Sequence, residues 1–235
     1  MGDLVDTLTT WWPRLWDGIW ITLQLSLGGA VLAFVVAVVL GLASISRFGV
    51  LRVGSRIIVE LFRGTSLVVQ LFWLFYVMPQ LGFELEALTS AIVALGLNYG
   101  AYGAEVVRGS LNAVPQGQWE VTTALSMSWV TKMRRVIWPQ AWALMLPGMN
   151  NLMVMLVKGT SLALLVTLHD LTFVTDDMRR SAGTFVAFGT GLVIYYLIAL
   201  GFSSLLRLLE RRAQRRLGLR PTKAATTMAT AEAVA

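Results

Sequence analysis

Five stretches of the chain carry no Asp, Glu, Lys or Arg and are long enough to cross a bilayer: residues 18–46, 64–83, 87–104, 136–157 and 181–206. Roughly 20 helical residues cover about 30 Å of hydrocarbon. Lipid offers no hydrogen bonds, so a spanning backbone must pair its own N–H and C=O groups, which a helix does within one segment. The third stretch, with 18 residues, is near the lower limit. Of the 235 residues, 56% are hydrophobic and 14% charged, where soluble domains carry about 25% charge. A water-soluble core of this size could not hide that much apolar surface. The expected fold class is an all-α membrane protein with five transmembrane helices, one domain over 1–220 and a small, polar, disordered tail at 221–235.

The run "GTSLALLVTL" (159–168) is too short to span and is read as a re-entrant or interfacial piece, or an extension of the fourth helix. The leader "MGDLVDTLTTWW" is acidic, and the apolar run after it exceeds a signal-peptide core, so no signal peptide is expected. Trp11, Trp12, Trp16 and Trp20 read as an interfacial belt.

Charge sets the orientation. Arg47, Arg52, Arg56 and Arg63 lie between spans one and two, Arg108, Lys132, Arg134 and Arg135 between three and four, and Arg207 onward after span five. With five spans these regions share one side, which holds 15 of the 19 basic residues. The positive-inside rule then places the N-terminus outside and the C-terminus in the cytoplasm. The net charge of +6 lies beside oily runs, which suits membrane orientation and not a nucleic-acid face. There is no cysteine and the only histidine is His169, so no metal or catalytic site is expected. His169 beside Asp170 is read as an external loop pair.

The loop between spans three and four, about 109–135, is half polar and basic. In "NAVPQGQWEVTTALSMSWVTKMRRVIWP", Pro115 suits a first helical turn and Glu120 follows soon after it. Trp119, Ala124, Met127 and Val130 approach helical spacing, and Pro139 sits where the fourth span begins. The segment reads either as an interfacial helix on headgroups or as a docking helix for a cytoplasmic partner.

This loop resembles the "EAA" loop of bacterial ABC-importer permeases, which runs Glu-Ala-Ala, three residues, Gly, nine residues, then Ile-x-Leu-Pro. Here Glu120, Val121 and Thr122 lead, Ser126 stands for the Gly, and Val136-Ile137-Trp138-Pro139 closes the pattern. The segments "ELFRGTSLVVQLF" (60–72), "YGAYGAEVVRGSLNAVPQGQWE" (99–120), "MLVKGTSLALLV" (155–166) and "YYLIALGFSSLLRLLERR" (195–212) are similar to permeases of the polar amino acid uptake family. The resemblance implies a type I ABC-importer permease fold in the bacterial inner membrane. It also implies a coupling helix docked on a separate ATPase, with Gln116, Gly117, Glu120, Thr123, Ala124, Leu125 and Ser126 at the contact. Gly permits a positive-φ turn after that helix and Ser does so at a cost, so the turn is redrawn here or the helix runs on. The implied partners are two ATPase copies, a second permease subunit, identical or paralogous, and an extracytoplasmic binding protein. No phosphate-binding loop occurs in this chain, so ATP and Mg belong to the partner and this chain is no enzyme.

Polar groups inside spans are candidates for the substrate path. Gln70 lies in span two, Asn98, Tyr99 and Tyr102 in span three, and Asn150 and Asn151 in span four after Pro147-Gly148. That Pro-Gly pair is expected to break or kink its helix and free backbone carbonyls beside the two amides. The alternative for each is helix–helix hydrogen bonding. Lys158, Thr160 and Ser161 of "KGTSL" join the candidates. Many relatives resemble "KDTSL" there, so Gly159 argues against a dicationic solute and leaves a zwitterion, an anion or a cyclic derivative. Glu60 with Arg63 and Glu105 with Arg108 read as structural ion pairs or a gate. The expected function is the transmembrane subunit of an ATP-driven importer for a polar amino acid or derivative. The alternatives are an ectoine-type solute on the vague resemblance of "LHDLTFVTDDMR" (168–179), an ATP-independent carrier or channel, and a non-transporting scaffold.

Overall fold

The computed structural model describes residues 2–216. The expected tail at 221–235 lies outside the described residues. The first helix, α1, runs Gly2–Ser44, and α2 follows at Gly49–Gly64. Next, α3 (Leu67–Phe72) continues as a π turn, Trp73–Val77, and a 3-10 turn, Met78–Leu81. Then come α4 (Ala87–Asn112), α5 (Gln116–Ala124) and α6 (Trp129–Lys132). A π turn, Met133–Ile137, leads into α7 (Trp138–Gly159), which runs on as a 3-10 segment, Thr160–Val166. Finally α8 (Leu171–Ala182) precedes α9 (Thr184–Arg216).

The seam between α1 and α4 organises the bundle. Lipid tails are as apolar as Leu, so burial alone does not hold helices together in a membrane, and close packing of small residues does. Gly96 and Gly100 stand at GxxxG spacing. A Cβ on Gly96 would lie 2.5 Å from Leu32 Cδ2, and one on Gly100 would lie 2.7 Å from Val36 Cβ. Contact partners climb together along both helices, from Gly28 with Ile92 to Gly41 with Val107. α1 and α4 are therefore parallel, and residues 45–86 must return the chain to the starting end. α7 runs antiparallel to α4: Gly148 faces Val106 and Gly159 faces Tyr99.

The helices differ in extent from the uncharged stretches. Span 18–46 is part of the 43-residue α1, because the polar leader packs as helix through Trp11, Leu15 and Ile19 against α8 and α9. Span 64–83 is no single helix: Gly49–Gly64 and Leu67–Leu81 are bent by 101° at Thr65-Ser66. Span 87–104 extends to Asn112, since Glu105 and Arg108 pair on the helix and need no break. Stretch 136–157 lies on the end of the π turn and on α7, and stretch 181–206 lies mostly on α9, which runs on to Arg216. Among the described residues three helices are long and apolar enough to cross a membrane, or four if the bent pair is one span. α4 is outside that number because its Gly, Ser, Asn and Tyr residues make it less apolar; Ser90, Gly96, Asn98, Tyr99, Gly100 and Gly103 among them are buried. The 159–168 run takes the extension form: it continues α7 as 3-10 helix.

Pro147-Gly148 does not break its helix. α7 is continuous from Trp138 to Gly159 with Pro147 inside it. Gly148 serves close packing instead, since a Cβ there would meet Val106 Cγ1 at 2.7 Å.

Candidate functional site

The central loop folds as two short helices and not one. Pro115 sits in extended conformation at the N-cap of α5, and the helix ends at Ala124. Trp119 packs against the cluster built on Val107, Leu111, Met133 and Ile137, and Thr122 is buried. These two side chains fix α5 to the base of α4 and α7. The opposite face is left open: Gln116, Gly117, Glu120, Thr123, Ala124, Leu125 and Ser126 are all exposed.

Ser126 keeps the turn that sequence reading expected to be redrawn or bypassed. Its φ is +54°. Its N–H donates to Thr123 O (2.9 Å), and the Met127 N–H donates to Thr122 O (3.1 Å). This pair of bonds is a Schellman closure, which uses a left-handed residue at its centre. Ser128 then caps α6, its Oγ accepting from Thr131 N–H at 3.4 Å. A left-handed non-glycine residue costs about 1 kcal/mol. Ser126→Gly is expected to relieve that strain and slow amide exchange at Met127 about fivefold. An unchanged rate speaks against a strained turn.

Gln116, Trp119, Glu120, Thr123, Ala124 and Lys132 line an open recess of about 480 Å³. Sequence reading used Lys132 only as one of the basic residues that set orientation. It donates through Nζ to Thr123 Oγ1 at 2.7 Å, which places its charge beside the α5 face. No period of 3.6 connects 123 to 132, so only the turn at Ser126 reveals the pair. Trp129 and Val130, 58% and 65% exposed, extend the same surface with apolar area.

Gln70 and Asn98 meet at the α2–α3 break. Gln70 Nε2 donates to Phe62 O (2.8 Å) and Thr65 Oγ1 (2.7 Å). Asn98 Nδ2 donates to Phe62 O (3.1 Å) and to Gln70 Oε1 (3.2 Å). Tyr102, one turn along from Asn98, donates to Arg63 O at 3.4 Å and lies under the Arg63 guanidinium. A broken helix frees carbonyls that must find donors, and this is where the side chains of span three supply them. Tyr99 faces the other way. Its hydroxyl donates to Met155 O at 2.9 Å, and a Cβ on Gly159 would lie 2.5 Å from that hydroxyl. An Asp at 159 would therefore displace Tyr99.

The remaining candidates do not converge. Asn150 is half-buried, and its Oδ1 accepts no hydrogen bond from the described residues. Asn151 is exposed on the next position of α7. Lys158 is exposed and lines a groove with Tyr195, Tyr196 and Ser203. Thr160 is buried and donates to Val157 O at 2.7 Å, and Ser161 donates to Lys158 O at 2.8 Å. Glu105 accepts from Arg108 Nε at 3.1 Å, and Glu60 pairs with Arg63 at 3.7 Å, each within one helical turn.

Sequence reading paired Asp170 with His169, and the structure separates them. His169 is exposed and stacks edge-on against Phe173 at 4.3 Å. Asp170 is fully buried. It caps α8 by accepting from Phe173 N–H at 3.0 Å, and accepts from the Tyr195 hydroxyl at 3.1 Å. Asp preceding an amphipathic run was the available signal. Burial raises the Asp170 carboxyl above its ordinary value, opposed by these donors. The folded state thus holds this proton more tightly than the unfolded chain does. The stability it contributes is full below the unfolded value near about 4 and is lost as pH rises through the higher folded value. Asp170→Asn is expected to keep the cap and remove this pH dependence. Asp170→Ala is expected to cost about 1–3 kcal/mol. Thermal unfolding in detergent across pH checks both.

Residues 29–215 match the family described as binding-protein-dependent transport system inner membrane component. A probable amino-acid ABC transporter permease protein, y4tF of Sinorhizobium fredii, is 39% identical over 205 residues, covering 84% of this chain and 86% of that protein. The L-cystine transport system permease protein TcyB of Bacillus subtilis is 34% identical over 215 residues, 91% of each chain. The crystal structure of an amino acid ABC transporter with histidines superposes with a TM-score of 0.79 at 30% identity, covering 87% of this chain and 96% of that one.

Proposed function

The chain belongs to the family of binding-protein-dependent transport inner membrane components, as a permease subunit of an amino-acid ABC importer, and from that premise we propose how it works. It is a multi-pass protein of the bacterial inner membrane with five passes over a single domain, 1–220. The parallel α1 and α4 support an odd return between them, and α7 and α9 complete the count. The N-terminus is outside and the C-terminus cytoplasmic, by the distribution of Lys and Arg.

α5 is the coupling helix. The observation that carries this is its mounting: Trp119 and Thr122 anchor one face while Gln116, Gly117, Glu120, Thr123, Ala124 and Leu125 stay open on the other. A short helix fixed to the ends of two spanning helices transmits a rigid-body motion, which a flexible loop could not. Two copies of an ATPase subunit bind ATP and Mg and supply the motion. A second permease, identical or paralogous, completes the path, and an extracytoplasmic binding protein delivers the solute.

The solute is a polar amino acid or amino-acid derivative. The names of the relatives support this, and none of those given above is named for an ectoine. Asn150 is the strongest candidate for the path, because its buried oxygen accepts no hydrogen bond among the described residues. Asn150→Leu is expected to lower uptake about tenfold while assembly is unchanged, as suits the loss of one buried amide contact. Reconstitution with the ATPase and the binding protein tests the whole proposal. ATP-dependent uptake supports it, and uptake without the ATPase contradicts it.

A further inference from the structure

α2 carries an exposed apolar arc and, beside it, an exposed polar row. Val50, Val53, Ile57 and Leu61 recur at helical spacing and are 86%, 55%, 63% and 58% exposed. Arg52, Arg56 and Glu60 form an exposed polar row about 100° around the helix from them, and Leu51 and Ile58, 52% and 42% exposed, carry the apolar arc on toward the far flank. The remaining arc, Ser55 and Val59, is buried against the bundle. The helix is bent by 101° away from Leu67–Leu81. That second arm packs along α4 through Leu67, Leu71, Ala91 and Leu95, so it follows the bundle axis. α2 therefore lies across that axis.

Depth follows from the two faces. Arg52, Arg56, Glu60 and Arg63 in the hydrocarbon core would be costly. The apolar row left in water would forfeit its burial. A helix in the plane of the membrane interface, with a basic polar face, meets both requirements. Phe48 adds an aromatic anchor at the start of the helix, 59% exposed and stacked under Arg47 at 5.3 Å.

On the permease reading above, we propose that α2 is an interfacial helix that seats its Val50, Val53, Ile57 and Leu61 face in the acyl boundary of the inner leaflet and recruits anionic phospholipid through Arg52 and Arg56. The positive charge is complementary to an anionic leaflet, where each Arg is worth about fivefold in local association. The bend at Thr65-Ser66, held by Gln70 and Asn98, sets the angle at which the helix meets the leaflet. Lipid charge thereby acts on the base of the bundle, beside Tyr102 and Arg63.

The chain contains no cysteine, so a single one can be placed cleanly. The full chain, reconstituted with its ATPase, carries bimane on Ile57→Cys, or on Leu61→Cys should the first variant fold poorly. Vesicles contain phosphatidylcholine with a quarter phosphatidylglycerol, with either lipid brominated in turn. Brominated phosphatidylglycerol is expected to quench more strongly than its share predicts, and R52Q/R56Q is expected to reduce that preference at least about fivefold. Equal quenching by the two lipids, unchanged by R52Q/R56Q, overturns the anionic recruitment. A label quenched by neither lipid overturns the proposal altogether, placing α2 in water or under a second copy of the chain. ATP-driven uptake in the same vesicles, with the binding protein supplied, separates the two readings: lost uptake with intact quenching strikes the proposed transport role and leaves the lipid contact standing.

Discussion

Glu120→Lys is expected to uncouple the importer while leaving the subunit in the membrane. Glu120 is exposed on the open face of α5, lines the recess with Gln116 and Thr123, and makes no ion pair within the described residues. Reversing its charge therefore removes nothing from the fold. The lysine would stand beside Lys132, whose Nζ already reaches Thr123, and turn that face uniformly basic. Breaking a hydrogen-bonded charge pair buried at an interface, as docking on α5 would make of Glu120, typically costs about 2–5 kcal/mol, which is about 30-fold or more in association. Binding-protein-stimulated ATP hydrolysis by the reconstituted complex should fall at least roughly tenfold, with insertion and thermal stability near wild type. Full uptake by Glu120→Lys would contradict a docking role for α5.

Gly100→Leu is expected to prevent assembly of the bundle. A Cβ at 100 already lies 2.7 Å from Val36 Cβ and 3.1 Å from the backbone oxygen of Ala33. Carbon atoms pack best at about 3.5–4.0 Å, and the obstruction includes backbone, so no side-chain rotation clears it. Overpacking of this kind costs about 3 kcal/mol or more, and in lipid little else holds α1 to α4. Aggregation on size-exclusion chromatography, or rapid loss of the subunit from the membrane, is the expected result. Gly109→Ala in the same helix is the control, since nothing lies within 4 Å of its Cβ position. A monodisperse, active Gly100→Leu protein would mean that the seam is not close-packed.

The sequence made the helical membrane architecture and the loop bearing α5 legible, because both are written in local patterns: absence of charge over a span, and Glu120 to Pro139 spacing. What it hid depends on distant partners. Glycine reads as a flexible residue until Gly96 and Gly100 are seen against Leu32 and Val36. Pro147-Gly148 reads as a break, yet the neighbouring α4 packs onto it and the helix continues. The real break, at Thr65-Ser66, was hidden inside an uncharged stretch, and Gln70 and Asn98 read as isolated polar residues because their shared acceptor, Phe62 O, is a backbone atom. Asp170 looked like part of a loop because its partner Tyr195 is 25 residues away.

The central claim is that α5 faces the cytoplasm and is driven by a separate ATPase. Gln118 is exposed on α5, and its side chain makes no hydrogen bond among the described residues. Gln118→Cys, in this cysteine-free chain, can be probed with a membrane-impermeant maleimide. The account predicts labelling in inside-out vesicles stripped of the ATPase, protection when the ATPase is restored, and none in intact spheroplasts. Labelling from the outer face of spheroplasts would contradict it.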